Sequence, residues 1–177
     1  ADNNTVIIEK GPNKMDLFYA NSAKLVCSNH YQSKAFENEL ANTENMSTSD
    51  SKFRWDRTSE LIEQKKPLNT LKAAEILRDK QGAGNVDIGL GNAQALNQLI
   101  AHHAVIFKPK KRQLWVSTST FQLGEFIAYD LNTFFNKKGK NKAIDSLAIP
   151  VDSFIYSAAF TAFKQFKFTK EKLVKHL

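Results

Sequence analysis

The stretch HAVIFKPKKRQLWVS, residues 103–117, places two short apolar runs on either side of a basic turn. Residues 103–107 and residues 113–117 each have the length and the β-branched and aromatic content of a strand. The connection between them is short and contains Pro109, which is typical of a hairpin. The segment therefore predicts two neighbouring antiparallel strands, around which the rest of the chain is arranged.

More short strands are predicted on both sides of this hairpin. Residues 5–9, 15–19 and 24–28 are apolar runs separated by turn residues, so they predict an antiparallel meander. Residues 125–130 alternate in polarity and predict one further strand after the hairpin.

Helices are predicted between the two groups of strands and at the end of the chain. Residues 33–50 are polar and indicate an excursion with one or two helical turns, and residues 51–64 predict a helix that ends before Pro67. A further helix is predicted to be capped by Asn69 or Thr70 and to stop at Gly82.

The C-terminal helix is predicted from about Ser157, where Phe160, Phe163 and Phe166 recur every third residue. This order of elements predicts an α+β fold with mainly antiparallel pairing. We expect one domain over residues 1–177, with a helical extension over about 157–177.

Composition restricts the classes of protein to which this chain can belong. One cysteine, Cys27, excludes an internal disulfide and a thiolate zinc cluster. No run approaches the roughly 18 apolar residues of a membrane span, and residues 1–4 do not begin a signal peptide. The sequence does not indicate a compartment.

The net charge of +7 is unevenly distributed along the chain. Residues 1–100 carry 12 Lys and Arg against 13 Asp and Glu, whereas residues 101–177 carry 13 against 5. Such asymmetry can indicate an anionic partner, but no nucleic-acid motif accompanies it, so solvated turns and a lysine-rich helix face are favoured.

Asn29 and His30 lie where a predicted strand ends and a loop begins, a common location of site residues. An Asn there can direct its amide N–H at a developing oxyanion. Spacing alone favours an Asx-turn, in which the side chain bonds its own backbone.

Arg54 and Arg57 flank Trp55 near the start of a predicted helix. A guanidinium offers a fixed fork of donors to a carboxylate or an oxyanion. The alternative to a site role for either arginine is a surface ion pair or a cation–π contact with Trp55, and the sequence alone favours this alternative.

The sequence disfavours a Cys–His catalytic pair, a metal site and a nucleotide-binding loop. Cys27 and His30 are three residues apart on a predicted strand and point to opposite faces, so Cys27 is interpreted as a small buried hydrophobe. His102 and His103 are adjacent and cannot easily bind one metal ion. The glycines of residues 88–92 do not form a dinucleotide fingerprint, no phosphate-binding loop is present, and we expect no cofactor and no metal.

The order and spacing of several motifs over roughly residues 5–165 resemble the acyl-coenzyme A:6-aminopenicillanic acid acyltransferase family, of the same clan as the choloylglycine hydrolases. The motifs are Asn29-His30-Tyr31, Arg57 at the head of a helix, Ile88-Gly-Leu-Gly-Asn92, residues 99–109, Gln113-Leu-Trp-Val-Ser117, residues 122–126 and residues 128–131.

The resemblance implies a four-layer αββα fold of the N-terminal-nucleophile hydrolases, of which this chain would be the C-terminal half. It also implies a cysteine nucleophile that self-cleavage exposes and whose own α-amino group acts as base. That cysteine is expected upstream of Ala1. Two site residues carry over: Asn29 as the oxyanion donor and Arg57 as the site arginine, with Arg54 as a competing assignment.

The resemblance thus implies part of an autoprocessing amide hydrolase or acyltransferase that acts on a small amide or acyl-thioester. The alternative is a non-catalytic structural or binding module with the same kind of fold, for which the basic C-terminal half is a candidate surface for anionic partners. Half of a two-sheet sandwich leaves one sheet face uncovered, so the isolated chain is expected to self-associate. Residues expected on that face are Val6, Ile8, Leu25, Val105 and Phe107.

Overall fold

The computed structural model describes residues 5–20, 22–135 and 143–175. It has an α+β architecture built from two antiparallel sheets and several helices. Strands β1 (Val6–Lys10) and β2 (Met15–Tyr19) form an N-terminal hairpin. Strands β3 (Val105–Lys108), β4 (Gln113–Ser117) and β5 (Phe126–Asp130) form a three-stranded sheet in the order β3-β4-β5.

The helices follow as α1 (Leu40–Thr48), α2 (Ser51–Gln64), α3 (Thr70–Leu77), the short α4 (Leu131–Phe134) and α5 (Ala158–Val174). The structure confirms the predicted N-cap of α3 at Asn69, and Ser157, where the last helix was predicted to begin, is the N-cap of α5. The side chain of Asn69 accepts from Lys72 N–H at 2.9 Å, and that of Ser157 accepts from Phe160 N–H at 3.1 Å.

The hairpin predicted from residues 103–117 is confirmed, and Trp115 anchors the core on one face of its sheet. Trp115 pairs with Ile106 on β3 and with Ala128 on β5, and all three are buried. Helix α3 packs on this face through Ala74. The indole Nε1–H of Trp115 donates to Leu147 O at 2.8 Å, so this buried polar atom is satisfied.

The strand predicted over residues 24–28 is wrong, because this segment pairs with no strand among the described residues. The carbonyl of Val26 accepts from Gln32 Nε2–H at 2.8 Å and from Trp55 Nε1–H at 3.2 Å. Side-chain donors from a loop and from α2 therefore occupy the carbonyl that a neighbouring strand would need.

The opposite face of the three-stranded sheet is also apolar, although nothing among the described residues buries it fully. Cross-strand register places six side chains there, in the rows Val105–Val116–Ile127 and Phe107–Leu114–Tyr129. Val105 and Phe107 are exposed and the other four are half-buried. A solvated face of an antiparallel sheet is normally polar, so this apolar face indicates a sheet that packs on a further layer.

We expect this outer sheet face to make the chain of residues 1–177 self-associate. Light scattering after size exclusion should show a mass that rises with concentration, and a hydrophobic dye should bind. Phe107→Lys, which places a charge on the exposed row, should weaken both signals. A strictly monomeric chain that binds no dye would contradict the expectation.

Candidate functional site

An open cleft of about 610 Å³ lies between β1, the segment 27–31 and α1. It is lined by Glu9, Cys27, Asn29 and His30, together with Asn45 of α1. The strand-end residues that the sequence singled out therefore face a cleft large enough for a small ligand.

The carboxamide of Asn29 is exposed and held in one orientation. Its Oδ1 accepts from Arg54 Nη2 at 2.9 Å, and its backbone carbonyl accepts from Asn45 Nδ2 at 2.6 Å. A guanidinium has donors only, so the oxygen of the carboxamide must face Arg54. The Nδ2 group consequently points elsewhere, and the described part of the chain offers it no hydrogen-bond acceptor. The side chain does not bond its own backbone, so the Asx-turn interpretation is wrong.

Arg54 connects Asn29 to Ala93, directly after the glycine-rich residues 88–92. Its Nη1 donates to Ala93 O at 2.6 Å, while Nη2 holds Asn29. The expected cation–π contact with Trp55 is made by Lys52 instead, whose Nζ lies 5.2 Å from the ring centroid. Of the two candidate arginines, Arg54 is therefore the one that the structure brings to Asn29.

Arg57 lies one helical turn further along α2, and its guanidinium bonds residues other than Asn29. It is 1% exposed, and its Nε and Nη2 each donate to a carboxylate oxygen of Asp79 at 2.9 Å. Nη1 donates to Glu60 at 3.0 Å and Nη2 also donates to Asn85 at 2.9 Å. The hydrogen bonds to Asp79, and then the one to Glu60, raise the pKa of Arg57 above its ordinary value against the opposing effect of desolvation. The ion pair is buried rather than on the surface, and it joins α2 to the segment 79–85.

Two residues that the sequence did not single out fix the loop that follows Asn29. The carboxylate of Glu9 is buried and accepts from the backbone N–H of Gln32 at 2.6 Å and of Ser33 at 2.8 Å. The carboxamide of Asn42 accepts from Tyr31 N–H at 2.9 Å and donates to Tyr31 O at 3.1 Å. Both contacts join residues more than ten positions apart, so the sequence around either residue does not indicate them.

The interpretation of Cys27 as a buried hydrophobe is wrong, because the residue is exposed and lines the cleft. Val26, the preceding residue, is the buried one in this segment. Partial desolvation, with a smaller contribution from the charge of Glu9, raises the pKa of the thiol. The thiolate, which is the nucleophilic form, is thereby disfavoured.

His30 takes part in a hydrogen-bonded chain with two serines. Its Nδ1 lies 2.8 Å from Ser51 Oγ, Ser51 Oγ donates to Ser28 Oγ at 3.1 Å, and Ser28 Oγ donates to Ser51 O at 3.0 Å. Because each hydroxyl has one proton, all three contacts are satisfied only when Nδ1–H of His30 donates to Ser51. This tautomer leaves the lone pair on Nε2.

Desolvation, and then the charge of Lys52, lower the pKa of His30 below its ordinary value of 6.5, while the charges of Glu9 and Asp56 oppose them. The unfolded chain therefore binds this proton more readily than the folded chain. The resulting stabilisation is present above pH 6.5 and is lost as pH falls through the lowered folded pKa.

We expect the thermal midpoint of the chain to rise between about pH 5 and pH 7, in part because of His30. His30→Asn can still bond Ser51 but does not titrate, so its profile should be flatter over this window. His102→Asn, at an exposed position outside the cleft, is the control and should keep the wild-type slope. Identical slopes for wild type and His30→Asn would contradict the expectation.

Other possible sites are limited. His103 is exposed and its Nδ1 lies 3.3 Å from Ser117 O. Within residues 5–20, 22–135 and 143–175, no group of three or more His, Cys, Asp or Glu is placed to hold a metal ion. No helix in these ranges is long and apolar enough to cross a membrane. The basic run 137–142 lies outside the described residues.

The chain is thus an α+β protein with a cleft that Asn29 lines, and Arg54 bonds the carboxamide oxygen of this residue. The family model for acyl-coenzyme A:6-aminopenicillanic acid acyl-transferase matches residues 1–122, so the chain belongs to this family. The match ends at Gln122, before β5, and the resemblance noted as far as residue 165 extends beyond it. No curated protein and no solved structure matches the chain.

Proposed function

We propose that this chain is part of an amide hydrolase or acyltransferase that acts on a small amide or acyl-thioester, with Asn29 as the oxyanion donor. The observation that carries the proposal is the orientation of Asn29, whose Oδ1 is held by Arg54 while Nδ2 is left with its donors unused. A donor that is fixed before the reaction stabilises a developing oxyanion without reorganising.

The nucleophile in this proposal is a cysteine supplied by an upstream segment of the same precursor and exposed by self-cleavage. Membership of the family supports it, and so does the raised pKa of Cys27, which makes the only cysteine of this chain a poor nucleophile.

The chemistry proceeds in two stages. The cysteine sulfur attacks the acyl carbon, its proton passes through the cysteine's α-amino group to the leaving nitrogen, and the C–N bond breaks. Water or a second amine then attacks the thioester and releases the sulfur. Asn29 donates to the carbonyl oxygen at both tetrahedral stages, when that oxygen carries negative charge.

The two arginines have different proposed roles. Arg54 orients the carboxamide of Asn29 by direct contact. Arg57 is a positioning residue: its bonds to Asp79 and Asn85 fix α2, and with it Arg54 one turn away.

The four-layer fold is likewise a proposal for the complete protein. The apolar outer face of the three-stranded sheet supports it, because a second sheet packed there would bury the rows that Val105 and Phe107 begin.

The rate of amide hydrolysis by the chain of residues 1–177 alone tests whether the nucleophile is supplied by the upstream segment. We expect no hydrolysis of a chromogenic acyl anilide above the buffer rate, and steady hydrolysis by the complete protein. Turnover by the isolated chain that Cys27→Ala abolishes would contradict the proposal. Inactivity of the complete protein towards a panel of such amides would favour the non-catalytic alternative.

A further inference from the structure

Helix α5 is anchored to the rest of the protein by its first three turns only. Phe160 is 5% exposed and packs edge-to-face on Phe154, with ring centroids 5.5 Å apart. Phe163 lies against Gly91, which has a φ of +75° and where a Cβ would come within 2.9 Å of the ring. Lys167 Nζ lies 4.6 Å from the ring centroid of Phe121. Beyond this point every residue from 168 to 175 is exposed.

Four large apolar side chains of this projecting part face solvent. Phe166, Leu173 and Val174 are each 63% exposed and Phe168 is 59% exposed. Phe166 and Leu173 are seven residues apart, so at 3.6 residues per turn they lie on the same side of the helix. The exposed Ala159 and Ala162 continue this stripe towards the N-terminus. A helix that projects into water is normally polar all round, so the apolar stripe needs a partner surface.

The charge of α5 indicates the chemistry of that surface. Residues 158–175 contain the lysines 164, 167, 170, 172 and 175 against the single acid Glu171, a net charge of 5 − 1 = +4, and they contain no arginine. Lys170 lies roughly 50° to one side of the Phe166–Leu173 stripe and Lys172 lies roughly 110° to the other side. Lysines at these angles can extend their ammonium groups to a plane into which the stripe is inserted.

We propose that α5 docks on an anionic lipid surface, lying in the plane of the headgroups with Phe166 and Leu173 inserted. A helix that lies in the headgroup plane has an apolar stripe flanked by lysines, as α5 does. The positive charge of α5 complements acidic headgroups. A nucleic acid would use the charge but not the apolar stripe, so lipid is favoured. This docking is independent of the proposed acyl chemistry and lies outside the residues that the family model matches.

Cosedimentation of the chain of residues 1–177 with vesicles tests the docking. We expect binding to phosphatidylcholine vesicles that contain about 30% phosphatidylserine, little binding to pure phosphatidylcholine, and weakening as salt rises from about 0.05 to 0.5 M. Phe166→Ser with Leu173→Ser should weaken the partition at least about tenfold. Lys170→Gln with Lys172→Gln should weaken it by a similar factor on anionic vesicles only.

The matched control is Lys110→Gln with Lys111→Gln, which removes the same charge from the exposed turn between β3 and β4. It should leave vesicle binding within about twofold of wild type. Three results would overturn the proposal: no vesicle binding, an equal loss in the control, or binding that the α5 substitutions do not change. Retention on a short DNA duplex with no retention on vesicles would assign the helix to a nucleic acid instead.

Discussion

Asn29→Ala in the complete protein is expected to lower kcat by on the order of 10²- to 10³-fold, which is about 2.7–4 kcal/mol of transition-state stabilisation. The carboxamide donor is fixed by Arg54, so it meets the charge on the carbonyl oxygen as that charge forms. It stabilises the neutral substrate less, so KM should change little. Because the residue is exposed, the thermal midpoint should also change little.

Asn38→Ala is the matched control, since Asn38 is exposed, lies in the loop that precedes α1 and does not line the cleft. It should retain normal kcat. Arg54→Met offers a second comparison: it frees the carboxamide to rotate and should lower kcat less than Asn29→Ala does. Near-normal kcat for Asn29→Ala would remove Asn29 from the site.

Arg57→Met is expected to lower the free energy of unfolding by about 3–5 kcal/mol, the usual loss when one partner of a buried ion pair is removed. The methionine fills much of the apolar space of the arginine stem but leaves Asp79, whose side chain is 11% exposed, without its two donors. Urea denaturation of wild type and variant measures the loss. Arg54→Met, three residues away and more exposed, should change the stability by about 1 kcal/mol or less.

Comparison of the Arg54→Met and Arg57→Met variants also tests which arginine contributes to catalysis through Asn29. We expect Arg57→Met to affect mainly stability and Arg54→Met to affect mainly kcat. A double-mutant cycle of Arg57→Met with Asp79→Asn should show coupling, because the two side chains share two hydrogen bonds. An Arg57→Met protein of normal stability that has lost activity would reverse the assignment.

Features set by neighbouring residues could be predicted from the sequence. The strand Gln113–Ser117 was predicted with its observed bounds, because its aromatic and β-branched content and the short turn with Pro109 before it define it locally. The cap of α3 at Asn69 or Thr70 and the start of α5 near Ser157 could be predicted because a helix start depends on residues within about one turn of it. The α+β class follows from the order of such local elements.

Features set by distant contacts could not be predicted. Segment 24–28 looked like a strand, but Trp55 and Gln32 bond the carbonyl of Val26 in place of a partner strand. Arg54 and Arg57 have similar local surroundings in the sequence. Only the fold shows that one reaches Asn29 while the other is buried against Asp79.

The location of the acyl group during turnover tests most directly whether the nucleophile lies outside this chain. The complete protein is mixed with an amide substrate, quenched in acid within the first turnovers, digested, and mapped by mass spectrometry for an acylated residue. We predict a thioester on a cysteine outside residues 1–177, formed more slowly in Asn29→Ala. An acyl group on Cys27, or on any other residue of residues 1–177, would contradict the account.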